Sequence, residues 1–133
     1  MYQYKINKII RVIDGDTLEV LIDCGFHIYL CKMLRLVDIN APEIRTLNEE
    51  IKSYAVRAKE KLEEYINGGD GNLIVSTLKP DSKDMYGRVL GTLYKEGQPL
   101  TASEYMLANS YAWYYSSKVK ETDLTKLAPL DEK

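Results

Sequence analysis

Apolar residues alternate with polar ones over the first third of the chain, which is the pattern of half-buried β-strands. Three such runs cover residues 4–13, 17–22 and 26–37. The first two runs are separated by Asp14-Gly15-Asp16 and the last two by Asp23-Cys24-Gly25, which are both turn sequences. This part of the chain is therefore predicted to form a meander of three strands.

The spacing of apolar residues changes to three and four over residues 48–66, which indicates an amphipathic helix. The glycine pair Gly68-Gly69 ends it. The apolar positions that define its buried face are Ile51, Ala55, Ala58, Leu62 and Tyr65/Ile66.

Two further strands and a second helix are predicted in the second half of the chain. The strands cover residues 73–78 and 89–94, on either side of a polar segment. A capping box, Thr101-Ala102-Ser103-Glu104, opens a helix that runs through Ala108. The polar tail has room for one more short helix within residues 118–127.

The resulting order, βββαββα, favours an α+β, mainly β fold. Five short strands with a helix between the third and the fourth are typical of a five-stranded Greek-key β-barrel of the OB type, here with two to three packed helices. A ferredoxin-like βαββαβ order fits less well. The length of 133 residues predicts a single domain over residues 1–133.

Composition and charge narrow the possible partners. The chain is 45% hydrophobic and 29% charged, and 18 basic against 20 acidic residues leave a net charge of −2. Binding of nucleic acid by a broad polycationic surface is thereby excluded, so any such contact has to be local. No apolar stretch approaches the roughly 20 residues of a membrane helix, and the first residues do not resemble a signal peptide. We therefore expect a cytoplasmic protein with no membrane association.

A zinc site is the chemistry that the cysteines and the single histidine first suggest. Cys24, His27 and Cys31 are spaced like half a zinc site. On the predicted third strand, however, Cys24 has the opposite parity to the other two, and no fourth ligand is near. Two reduced, partly buried thiols and a solvent-exposed imidazole are the preferred interpretation.

The turn Asp14-Gly15-Asp16-Thr17 is the first candidate for chemistry. Two carboxylates, with a glycine between them that permits a tight turn, can direct hard oxygen ligands at a divalent cation. An ordinary Asp-Gly turn explains the same residues. An EF-hand does not, because acidic residues are missing at the required later positions.

Two arginine-bearing segments are the other candidates. Residues 35–43 carry Arg35 on a strand and then Asn40 and Glu43 on a loop that Pro42 stiffens, while residues 84–88 end in Arg88. Taken singly, each is explained by a solvent-exposed arginine. Taken jointly with the acidic turn, they supply a metal site, two guanidinium groups and a carboxylate base, which are the parts needed for phosphodiester hydrolysis.

Three segments in this order and spacing resemble the staphylococcal nuclease (thermonuclease) family. They are residues 12–17, residues 35–43 and Tyr86-Gly87-Arg88, and the resemblance extends from Ile6 to Tyr115. It implies an OB barrel with packed helices and a calcium-dependent nuclease that cleaves DNA and RNA.

The resemblance also implies a set of metal ligands. Asp16 corresponds to a direct ligand of Ca²⁺, Asn40 to the second side-chain ligand, and the Ala41 backbone carbonyl to a third. Asp14 corresponds to a residue just outside these ligands. The family more often has aspartate at the position of Asn40, so one metal-directed negative charge is missing here.

The catalytic residues follow from the same resemblance. Glu43 corresponds to the general base, and Arg35 and Arg88 to the arginines that hold the phosphate and stabilise its transition state. Tyr86 corresponds to a tyrosine near the terminal phosphate or sugar. Met85 stands where a basic residue often helps to hold phosphate, which predicts weaker binding of the substrate.

An aromatic cluster just after the second helix is a candidate for base stacking. We expect Tyr111 and Trp113 to form the edge of the core and Tyr114 and Tyr115 to contact bases. Single-stranded DNA and RNA are the expected partners of a monomeric enzyme. A noncatalytic OB-fold module that binds nucleic acid or protein is the alternative, although such modules typically lose the arginines and glutamate that are present here. A calcium-binding structural domain would explain the aspartates but not the arginines.

Overall fold

A computed structural model of the chain describes residues 2–78, 87–115 and 124–130. Within these residues, five strands close into a barrel and a short strand, the fourth along the chain, lies outside it. In chain order these six are β1 (Tyr2–Asp14), β2 (Thr17–Asp23), β3 (Tyr29–Leu36), β4 (Ile39–Asn40), β5 (Leu73–Thr77) and β6 (Val89–Lys95). The order around the barrel is β1, β2, β3, β6, β5, and β5 pairs with β1 to close it. The predicted mainly β, OB-type barrel is confirmed.

The long first strand makes the closure possible. β1 pairs with β2 over Lys5–Asp14 and with β5 over Tyr2–Lys5. Its register with β2 shifts three times, and such irregularities bend a strand and increase its twist. Alternate residues of the strands then point into the barrel, where the fully buried apolar side chains are Leu18, Val20, Leu34, Leu36, Val75 and Leu93.

Two α-helices pack on the barrel, α1 (Glu49–Asn67) and α2 (Ala102–Ala108). The Asn48 side chain begins α1 by accepting hydrogen bonds from the Glu50 and Ile51 N–H groups. The capping box predicted for α2 is present, with Thr101 and Glu104 bonded reciprocally. The predicted buried face of α1 is confirmed at Ala55, Ala58, Leu62, Tyr65 and Ile66.

A two-stranded sheet outside the barrel was not predicted. It pairs β4 with β7 (Trp113–Tyr114), antiparallel, with Ile39 opposite Tyr114 and Asn40 opposite Trp113. Two-residue strands are too short to show a period, so they leave no pattern in the sequence. This small sheet ties the segment after α2 to the segment after β3.

The predicted third strand was too long at its beginning. Residues 26–28 belong to the turn before β3, because the Cys24 N–H donates to the Ile28 carbonyl and the Ile28 N–H donates to the Gly25 carbonyl. Phe26 and His27 have positive φ values of 54° and 61°, which are not strand conformations. The prediction that His27 lies on the third strand was therefore wrong.

The C-terminal segment was predicted to hold a short helix within residues 118–127. Leu124–Lys126 form a 3-10 helix, and the earlier part of that prediction lies outside the described residues. In the portion of the chain that the structure describes, no helix is both long and apolar enough to cross a membrane.

Candidate active site

The turn between β1 and β2 is held against two other parts of the chain by its glycine. A Cβ atom on Gly15 would lie 2.7 Å from the Ala58 Cβ on α1 and 3.0 Å from the Ala41 Cβ. Carbon atoms do not approach so closely, so only glycine allows this turn to sit on α1. The turn therefore presents Asp14 and Asp16 directly beside the segment that follows β4.

Asp16 is a buried carboxylate, 6% exposed, whose oxygens both have partners. Its Oδ1 accepts a hydrogen bond from the Thr17 hydroxyl at 2.8 Å, and its Oδ2 accepts one from the Ala41 N–H at 2.8 Å. Arg35 Nη2 lies 3.4 Å from the same Oδ2 and supplies an opposite charge. These contacts offset the cost of burying the charge and fix the direction of the carboxylate.

Side chains alternate between the two faces of β3, and this alternation places Arg35 on the face next to Asp16. Leu36 is buried in the barrel with 1% exposure, and Arg35 points to the other face, as predicted. Arg35 Nη1 donates to the carbonyl oxygens of Leu36 and Ile39, both at 2.8 Å, and Nη2 donates to Asn40 Oδ1 at 2.5 Å. The loop after β3 thus wraps around the guanidinium group.

A residue with positive φ makes this wrapping possible. Asp38 has a φ of 69°, in the left-handed region that aspartate tolerates better than most residues. It turns the chain between β3 and β4, and its carbonyl accepts a hydrogen bond from the Tyr115 N–H at 2.8 Å. β4 is then held by β7, which keeps Asn40 in place beside Arg35.

Asp14 is the second acid of the turn and is half-buried. Its Oδ1 accepts a hydrogen bond from the Ile44 N–H at 2.9 Å. Burial raises the pKa of Asp14 above its ordinary value, repulsion from Asp16 and Glu43 adds to the rise, and the Ile44 N–H and Arg35 oppose it. The exposed Glu43 carboxylate is therefore near enough to Asp14 to act on it electrostatically.

Arg88 is brought to this region by the parallel pairing of β3 with β6. Leu34 is opposite Val89 and Arg35 is opposite Leu90, and Arg88 directly precedes Val89. Its backbone therefore lies beside the end of β3 that carries Arg35. Tyr86, which was predicted to contact the substrate, and the neighbouring Met85 lie outside the described residues.

The aromatic cluster after α2 is divided between core and surface as expected. Trp113 is 6% exposed, whereas Tyr114 and Tyr115 are 67% and 51% exposed. Tyr111 packs against the core, and its ring lies 5.1 Å from the guanidinium carbon of Arg57 on α1. Base contacts of the two exposed tyrosines stay a prediction.

The sequence predicted no role for the Thr17 hydroxyl, the Ala41 N–H or Asp38. The Thr17 hydroxyl and the Ala41 N–H orient Asp16, and Asp38 makes the turn that carries Asn40 to Arg35. Threonine directly after Asp16 was a usable signal, because its hydroxyl can reach a neighbouring carboxylate. The contact between Arg35 and Asp16, 19 positions apart, has no local signal.

The structure does not assemble a ready-made acidic metal site. Among the described residues, no three His, Cys, Asp or Glu side chains come together as metal ligands. Cys24, His27 and Cys31 are not such a group, and both cysteines are free thiols. Cys24 is partly buried as expected, whereas Cys31 is exposed, because the first four residues of β3 lie at the surface. A cation beside Asp16 would depend on that carboxylate, on the Asn40 amide oxygen and on backbone oxygens.

Comparison with known proteins identifies the family to which the chain belongs. The family model described as staphylococcal nuclease homologue matches residues 33–133. "Protein ParB" of Escherichia coli is 32% identical over 117 residues, which cover 81% of this chain and 56% of that protein. "Endonuclease YncB" of Bacillus subtilis (strain 168) is 30% identical over 122 residues, which cover 88% of this chain and 53% of that protein. The chain thus spans about half the length of the curated relatives that it matches.

Proposed function

The chain belongs to the staphylococcal nuclease homologue family, and on that premise we propose that it is a calcium-dependent phosphodiesterase that cuts DNA and RNA. One observation carries the proposal. The guanidinium of Arg35 contacts both the buried carboxylate of Asp16 and the amide oxygen of Asn40 at one end of the barrel. Two relatives, from Bacillus subtilis and Escherichia coli, are named as endonucleases, which supports the same reaction class.

The donor set beside Asp16 suits a hard divalent cation. A carboxylate and an amide oxygen are ligand types that Ca²⁺ accepts, and both lie next to one cationic nitrogen, Nη2 of Arg35. The oxygens that surround this nitrogen are acceptors of the kind that a divalent cation requires. Asp16, Asn40 and the Ala41 carbonyl would hold calcium there, with Asp14 just outside the ligands.

The bound ion would neutralise charge on the phosphate and polarise the bond to phosphorus. Glu43 accepts a proton from a water molecule, whose oxygen then forms a bond to phosphorus. Arg35 and Arg88 donate hydrogen bonds to the phosphoryl oxygens and stabilise the charge of the pentacoordinate transition state. The bond from phosphorus to the 5′-oxygen breaks, that oxygen takes up a proton, and the 3′-phosphate stays on the other fragment.

Single-stranded nucleic acid is the proposed substrate, and the domain is proposed to act as a monomer. The exposed rings of Tyr114 and Tyr115 directly follow Trp113, which pairs with Asn40, and this closeness to the candidate site supports a role in contacting bases. Aromatic rings stack on unpaired bases of any sequence. Tyr86 is proposed to contact the terminal phosphate or sugar.

The proposal is tested by following cleavage of single-stranded DNA and RNA with calcium and then with excess chelator. We expect cleavage that requires calcium and leaves 3′-phosphate ends. Cutting that persists in chelator, or ends that bear a 3′-hydroxyl, would contradict the proposed chemistry. Binding of the strands without any cutting would instead identify a noncatalytic OB-fold module.

Variants at the three proposed catalytic residues test their roles. Glu43→Gln, Arg35→Ala and Arg88→Ala are each expected to lower the cleavage rate by at least about 100-fold, since one preorganised charged donor supplies about 3 kcal/mol or more. Glu50→Gln, on the exposed first turn of α1, and Arg11→Ala are the matched controls and should cut at the parent rate. A catalytic variant with an intact circular dichroism spectrum and near-parent activity would remove that residue from the mechanism.

A further inference from the structure

A single nitrogen atom, Nη2 of Arg35, contacts both side chains that were proposed to hold calcium. It donates a hydrogen bond to Asn40 Oδ1 at 2.5 Å and lies 3.4 Å from Asp16 Oδ2. The other terminal nitrogen, Nη1, is fixed by the Leu36 and Ile39 carbonyls, both at 2.8 Å. The guanidinium is therefore held in the position where it meets both oxygens.

A calcium ion cannot share the Asn40 oxygen with this guanidinium at low cost. Calcium binds its oxygen ligands at about 2.3–2.6 Å, so an ion on Asn40 Oδ1 would lie within about 5 Å of Nη2. At that separation a divalent cation and a guanidinium repel strongly in a partly buried site. The Arg35 side chain is only 12% exposed, so bulk water does not screen the repulsion fully.

The residue at position 40 makes the conflict more severe in this chain. An amide has one oxygen, and the Asn40 oxygen already accepts the hydrogen bond from Arg35. An aspartate at this position would offer two oxygens and a negative charge, so it could serve the guanidinium and the ion together. When Asn40 becomes a metal ligand, its one oxygen lies between two cations, and their repulsion drives the guanidinium away from it.

We propose that Arg35 occupies the cation position of the metal-free protein, so that calcium binds only by displacing its guanidinium from Asp16 and Asn40. This inference rests on the calcium site of the proposed function and adds a second role to Arg35. In the metal-free protein Arg35 neutralises Asp16, and once displaced its Nη2 donors are available to a phosphate. Metal entry and the release of the guanidinium are then one event.

The test is calorimetric titration of calcium chloride, without nucleic acid, into the parent protein and into Arg35→Gln. Removing the competitor is expected to tighten calcium binding at least about fivefold, beyond any general effect of charge. Arg11→Gln is the matched control, because Arg11 carries the same charge but pairs with Glu19 on the surface. It should change the calcium affinity less than about twofold.

Chemical unfolding in chelator is a second measurement, in which Arg35→Gln is expected to be less stable than the parent although it binds calcium more tightly. Arg35→Gln should unfold at a lower urea concentration than the parent without calcium, because Asp16 is left buried beside no positive charge. A merely structural arginine would lower both the stability and the calcium affinity, and that result would overturn the inference. If Arg35→Gln does not fold, Arg35→Met removes the charge and keeps a long apolar side chain, and calcium affinity at or below that of the parent would overturn the inference equally.

These outcomes are separate from those of the proposed function. Tighter calcium binding by Arg35→Gln supports the inference even in a protein that cuts no nucleic acid. Calcium-dependent cleavage combined with weaker calcium binding by Arg35→Gln would retain the nuclease and reject the displacement.

Discussion

Ionisation of a single side chain in this site, Asp14, lowers the stability of the folded protein. Its carboxylate is half-buried, and its pKa is raised by burial first and then by the neighbouring charges of Asp16 and Glu43. The folded protein therefore keeps the Asp14 proton to a higher pH than the unfolded chain does. As pH rises from the ordinary pKa of 3.8 through the folded value, the ionisation of Asp14 lowers the free energy of unfolding.

Asp14→Asn is expected to stabilise the metal-free protein at neutral pH. The amide cannot ionise, yet its oxygen can still accept the hydrogen bond from the Ile44 N–H. In chelator near pH 7 the variant should unfold at a higher urea concentration than the parent, and the difference should vanish at about pH 3, where both forms are neutral. A variant that is less stable near neutral pH would show that the Asp14 charge is favourable in the folded state.

At the scale of elements, the site depends on how closely the β1–β2 turn packs on α1. The Gly15 position faces Ala58 of α1 and Ala41, which directly follows β4, at distances that leave no room for a methyl group. The sequence indicated that Gly15 allows a tight turn, but not that the turn touches a helix more than 40 residues away. Contacts between elements of this kind have no local pattern, whereas the α2 capping box lies within four residues and was predicted.

Gly15→Ala is expected to destabilise the fold by about 1–3 kcal/mol, since it forces an extra methyl into a packed contact. Ala58→Gly alone should cost about 1 kcal/mol through helix propensity. The double variant should be more stable than the sum of the two single effects, because glycine at position 58 makes room for the added methyl. Urea unfolding of the four proteins measures this coupling. Strict additivity would mean that the turn and α1 do not press on each other.

At the scale of the whole molecule, the parts that could be predicted are those with a long period or a compact motif. The five barrel strands and α1 were predicted from their apolar spacing, and the OB-type barrel was inferred from the number and chain order of these elements. The β4–β7 sheet could not be predicted, although it holds Asn40 beside Arg35, because pairing of two-residue strands is decided by tertiary packing. The types of residue in the candidate site could be predicted from the sequence. Their contacts with one another depend on the closed barrel.

Calcium is expected to stabilise the whole fold, because its proposed ligands lie in the β1–β2 turn and in β4 with the residue after it, which unfolding separates. Binding to the folded state alone adds about 2.7 kcal/mol at a calcium concentration about 100 times the dissociation constant. With only Asp16 charged among the direct ligands, we expect that constant to be sub-millimolar to millimolar. Urea unfolding with calcium, at matched ionic strength in sodium chloride, should show a higher midpoint, and Asp16→Asn should abolish the increase.

Asn40→Asp sharpens the same experiment. A second carboxylate attracts the ion more strongly and offers the oxygen that the amide lacks, so the increase in the unfolding midpoint should begin at a calcium concentration at least several-fold lower. Without calcium the added acid lies near Asp16, so the variant should be no more stable than the parent. The stability of the whole fold therefore reports both effects of the residue at position 40, with calcium and without it. Identical calcium dependence of the unfolding midpoint in the parent and in Asn40→Asp would show that residue 40 does not touch the ion.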